Sequence, residues 1–79
     1  MPVKQEQHAK PVQLQVNNSG AWKTIAQFDA ADVAATELAQ SSARWLRIID
    51  KGLKFRIATR DSLPVVLMRL DDDLEWSPA

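Results

Sequence analysis

The run Val-Gln-Leu-Gln-Val from Val12 alternates apolar and polar residues, which sets Val12, Leu14 and Val16 on one face of a β-strand. Asn17-Asn18-Ser19-Gly20 then turns the chain. A three-residue loop of Asn18, Ser19 and Gly20, with Gly20 at positive φ, pairs Val16 with Trp22, Leu14 with Thr24 and Val12 with Ala26. That register adds Trp22, Ala26 and Phe28 to the apolar face. Asp29 can accept from the free amides of a new helix, and Asp32 favours its positive end. A helix is therefore expected from about Ala30 to Ser42. Its most apolar arc runs from Val33 through Ala30 and Ala34 to Leu38 and encloses Glu37 and Ser41.

Arg44 to Asp50 and Leu53 to Arg60 are rich in Ile, Leu, Phe and Trp and flank Lys51-Gly52, which predicts a second hairpin. A two-residue Lys51-Gly52 loop pairs Ile48 with Phe55 and Leu46 with Ile57. A three-residue loop including Asp50 pairs Ile49 with Leu53 and Trp45 with Ile57, and this slip exchanges the two faces of the third strand. The two-residue loop is preferred, because the other register sets Arg47 beside Phe55 on the buried side, where an unpaired charge is costly. Asp61-Ser62-Leu63-Pro64 makes a further turn, and Val65 to Leu70 is apolar enough for a strand covered on both sides. Leu74-Glu75-Trp76 is read as either a short extra strand or a free end. The fold class expected is α+β: a two-layer sandwich of about five antiparallel strands, ββαβββ in chain order, with one helix on one face. Residues 1–11 are expected to be a flexible leader, 12–70 the domain and 71–79 an acidic tail.

Length and composition narrow the classes. Seventy-nine residues suit one domain with a thin core. The absence of cysteine removes disulfides, thiolate ligands and cysteine nucleophiles, and with no apolar run of membrane-spanning length it points to a cytoplasmic protein. The net charge is zero, but it is unevenly spread. Residues 41–69 hold seven basic and two acidic side chains, a balance of +5, whereas the last ten residues hold four acidic ones and none that is basic. Such asymmetry is a property of distribution, not of the sum.

Groups that could converge on an enzyme site are scarce. His8 is the single histidine and lies in the leader, there is no tyrosine, and Gly20 and Gly52 are both accounted for by turns, so neither an imidazole base nor a glycine-rich phosphate loop is expected. Asp71, Asp72 and Asp73 lack the spacing of a calcium loop and read as a solvated tail. Glu37, inside the apolar arc, is expected to pair with a sheet arginine or to reach the sheet edge. No catalytic residue, metal site or cofactor is assigned.

The candidate site is a stripe of Lys54, Arg56 and Arg60, opposite in parity to Leu53, Phe55 and Ile57. The preferred register adds Trp45, Arg47 and Ile49 to the same uncovered sheet face. The expected function is a non-enzymatic protein-interaction module, homodimeric through that face, since a second copy is the commonest cover for an apolar patch. The alternative is single-stranded nucleic-acid binding, with arginines on phosphates and an aromatic ring stacked on a base. The acidic tail folding back over the basic stripe is a third way to cover it, and an enzyme built around Glu37 and the acidic tail is a distant further option. No family signature accompanies these residues.

Overall fold

A computed structural model describes residues 9–79. Five strands and one helix follow in chain order: β1 (Pro11–Asn17), β2 (Trp22–Asp29), α1 (Val33–Ile49), β3 (Lys54–Thr59), β4 (Val66–Leu70) and β5 (Trp76–Pro78). All pairings are antiparallel, and the strands lie in the order β2-β1-β3-β4-β5. The α+β class and the ββαβββ order are those expected from the sequence. The strands that supply that order are not all the expected ones.

The core lies between α1 and one sheet face. Val12 and Leu14 of β1, Phe55 and Ile57 of β3, Leu70 of β4 and Ala43 of α1 are buried together, with Met68 and Trp76 packed against them. Ala43 is completely buried, so the helix backbone approaches the sheet at its small residues, where no side chain holds it off. Among the described residues no element lies on the opposite face of the sheet.

The largest correction concerns Arg44 to Asp50. Arg44 to Ile49 form the last turns of α1, not a strand, with Asp50 as the C-cap, and no hairpin forms at Lys51-Gly52. High β-propensity in Trp45, Ile48 and Ile49 is outweighed by tertiary context, as propensity commonly is. The helical continuation buries Ala43, brings Arg44 Nε to the carbonyl of Leu74 at 2.8 Å and places Arg47 against Asp72 at 2.8 Å. The Asp50 amide closes the helix on the carbonyl of Leu46. Asp50 then turns the chain, its Oδ1 accepting from the Gly52 amide at 3.0 Å. At the other end the cap is Asp32, whose Oδ1 accepts from the Ala35 amide, and Val33 is the first helical residue. Glu37 is exposed rather than held at the sheet.

The first hairpin forms with a different register. Asn17 Oδ1 accepts from the amides of Ser19 and Gly20, an Asx-type turn that leaves four residues between the strands, and Gly20 takes the expected positive φ at 99°. Trp22 thus pairs with Asn17 and Thr24 with Gln15, so both belong to the face away from the helix. An irregularity between Leu14 and Gln15 passes over Ile25 and restores Ala26 opposite Leu14 and Phe28 opposite Val12. The bulge reverses the parity of the strand's first half.

The expected fifth strand begins at Val66, and Val65 and Leu67 are exposed instead of covered on both sides. β5 closes the sheet from within residues 71–79, so of the two readings of the acidic tail it is the short extra strand that forms, at Trp76–Pro78. The leader expected at 1–11 lies mostly outside the described residues, but the Lys10 amide donates to Asp29 Oδ1 at 2.9 Å and Pro11 already belongs to β1.

Candidate functional site

The face expected to be continuous is divided between two sides of the molecule. Lys54 and Arg56 alternate with buried Phe55 and Ile57 along β3, and so point away from the helix as their parity predicts. Arg60 follows the end of β3, its amide on the carbonyl of Pro11, at the far end of the strand from Lys54. Trp45 and Arg47 are on α1, on the other layer, because their segment is helical. Trp45 does not meet Lys54, Arg56 and Arg60, and Arg47 approaches the stripe only at one end, where it and Lys54 line the same cleft.

The open sheet face is polar and internally bonded. Arg56 Nε donates to Gln15 Oε1 at 2.7 Å; Gln15 Nε2 donates to Thr24 Oγ1 at 3.4 Å; Thr24 Oγ1 donates to Gln13 Oε1 at 2.5 Å; and Gln13 Nε2 ends the relay on the carbonyl of Thr59 at 2.8 Å. Both glutamines are buried, and a buried amide is tolerable only when so satisfied. The Arg56 guanidinium lies 4.1 Å from the Trp22 ring centroid, within cation–π range. Arg69 of β4 is its cross-strand partner. Burial, then the nearby charge of Arg69, push the Arg56 pKa below its ordinary value, the direction expected when like charges face each other.

Sequence reasoning missed Trp22, Gln13, Gln15, Thr24 and Arg69 as members of this face. The polar half of the Val-Gln-Leu-Gln-Val alternation was a usable signal for the glutamines. The partnership of Arg56 with Arg69 depends on a strand pairing that no local pattern records.

The acidic segment does not fold over this face and touches only its end, where Asp71 and Asp72 line a cleft with Lys54 and Arg69. Asp72 pairs with Arg47 of the helix, Asp71 accepts from the Ser77 hydroxyl, and Asp73 accepts from the Glu75 amide. Leu74, with φ at 69°, completes the turn that sends Trp76 back, its Nε1 donating to the carbonyl of Gln40 at 3.1 Å. Each aspartate is directed to a different partner.

A second surface lies along the flank of α1 that faces the β2 edge. Leu38, Trp45 and Ile49 are 68%, 67% and 78% exposed. Beside them runs an apolar groove of about 400 Å³, lined by Ile25, Ala35, Leu38, Ser42 and Leu46 over Leu14 and Phe28. No protein-family model, curated protein or solved structure matches the chain. Among the described residues no helix is long and apolar enough to cross a membrane.

Proposed function

We propose that this protein is a small, non-enzymatic interaction module that pairs with a second copy of itself through the exposed flank of α1. The observation that carries this reading is the stripe Leu38, Ser42, Trp45 and Ile49. Its steps of four, three and four residues are those of a helix seam that meets another helix. Three of the four side chains are large, apolar and at least two-thirds exposed. With Leu46 and Ile25, each copy offers on the order of 500 Å² of apolar surface, so a two-fold pair covers about 1,000 Å², the lower bound for a stable interface. Ser42, in the middle of the seam, lets the helices approach. A cytoplasmic setting fits a chain without cysteine.

This reading keeps the homodimer expected from the sequence and moves it from the sheet to the helix. Light scattering coupled to gel filtration tests it: the chain is expected to elute with twice its monomer mass at high micromolar concentration, and Leu38→Glu to elute as a folded monomer. A wild-type chain that remains monomeric there overturns the proposal.

A further inference from the structure

The open sheet face carries a cluster that self-pairing through α1 does not use. Arg56 and Arg69 are directly opposed across β3 and β4, and like charges in that position destabilise a sheet. Lys54 is two residues along β3 and on the same side. Among the described residues none of the three has a carboxylate within ion-pair distance, the ion pair present being that of Arg47 with Asp72 on the helix layer. Asp71, which follows Arg69 at alternate spacing, is engaged by the Ser77 hydroxyl. At this end of the sheet a cleft of about 260 Å³ opens between the two layers, lined by Trp22, Lys54 and Arg69 from the sheet and by the Arg47–Asp72 pair and Asp71 beside them.

Arg56 is held in place by its neighbours. Its Nε is fixed by Gln15, Gln15 is tied through Thr24 and Gln13 to the backbone of Thr59, and the guanidinium carbon lies over the Trp22 ring. Among the described residues its two Nη groups donate to nothing, which leaves the rest of a planar fork of donors without a protein acceptor. A fork of that kind matches a phosphate better than a point charge does. The remaining surface favours nucleic acid over a protein partner. The large, strongly exposed aliphatic side chains Leu38 and Ile49 are on the other layer, and this face offers the amides of Gln13 and Gln15, the Thr24 hydroxyl, three cations and an indole. Cationic grooves with aromatic platforms are how single strands are held without sequence preference.

We infer that the open face of the sheet, through Arg56, Arg69 and Lys54 with Trp22, binds the phosphate backbone of single-stranded nucleic acid. The inference does not rest on self-pairing, because the surface lies on the opposite layer from the Leu38–Ile49 stripe.

Fluorescence anisotropy of a labelled oligo-dT or oligo-rU strand tests it with the full chain. Binding is expected with a dissociation constant of roughly 1–100 μM at low salt. Three phosphate contacts give a logarithmic salt slope near −2, so affinity should fall about 100-fold between about 20 and about 200 mM salt. Arg69→Ala, at an exposed position that leaves the fold intact, should flatten that slope by about 0.7. Arg56→Lys, which keeps the charge but not the fork, should weaken binding severalfold with the slope nearly unchanged. Leu38→Glu should bind as the wild type does, which separates failure of this inference from failure of the self-pairing reading. No anisotropy change at about 100 μM protein in low salt overturns the inference, as does equal competition by polyglutamate or a salt slope that Arg69→Ala leaves unchanged.

Discussion

Replacing Trp76 tests whether the last nine residues belong to the fold. The indole is half-buried, packs against the cluster of Leu70, Phe55 and Ala43, and donates to the carbonyl of Gln40 across the two layers. Truncating a fully buried Trp to Ala costs about 3–5 kcal/mol, and partial burial brings the packing loss to roughly 2 kcal/mol. The lost hydrogen bond adds about 1 kcal/mol. Trp76→Ala should therefore remove about 3 kcal/mol from a domain whose whole stability is on the order of 4–12 kcal/mol. With a urea m-value near 1 kcal/mol/M for so small a chain, the midpoint should fall by about 3 M. Trp76→Phe retains most of the ring and loses only the indole N–H, so its midpoint should fall by about 1 M. Far-UV circular dichroism against urea reads both, at one fixed protein concentration because self-pairing couples stability to concentration. A solvated acidic tail predicts no change in either variant. A Trp76→Ala midpoint within about 0.5 M of wild type refutes the docked tail.

Two further outcomes follow from the same geometry. Ala43 has no exposed surface, so Ala43→Val should overpack the contact between α1 and the sheet by about 1–3 kcal/mol and lower the melting temperature by roughly 10 °C; calorimetry showing an unchanged transition would mean the helix does not reach the sheet there. The Asp29 carboxyl is held below its ordinary value of 3.8 chiefly by the Lys10 amide and then by the Ala31 amide. A depressed folded-state pKa stabilises above the unfolded value, and the gain disappears as pH falls through the folded one. Asp29→Asn should thus be less stable than wild type at pH 7, with the difference in urea midpoint closing as pH falls below about 4; a difference that persists undiminished in strong acid contradicts this.

Several features were legible in the residues themselves. Alternation in β1 and β3 determines which side chains share a face, because successive strand residues point to opposite sides whatever the strand pairs with. The buried set Val12, Leu14, Phe55 and Ile57, the outward parity of Lys54 and Arg56, and the positive φ at Gly20 all rest on such short-range rules. One helix after two strands was likewise readable, from the alanines and the aspartates that precede it.

What escaped the sequence is what depends on contacts between distant segments. Whether Arg44 to Ile49 is strand or helix is close to balanced by intrinsic preference. It is decided by Ala43 against the sheet and by Arg44 and Arg47 reaching the segment after β4. The bulge at Ile25 places Trp22 on the opposite face from the one its alternation predicts, and so brings an aromatic ring to Arg56. The pairing of β3 with β4 sets Arg56 opposite Arg69. By moving Trp45 and Ile49 onto the helix, tertiary structure separated an apolar surface from a cationic one that the linear pattern had merged. Parity along a strand is fixed by covalent geometry, whereas the choice of partner is made by packing between residues far apart in the chain.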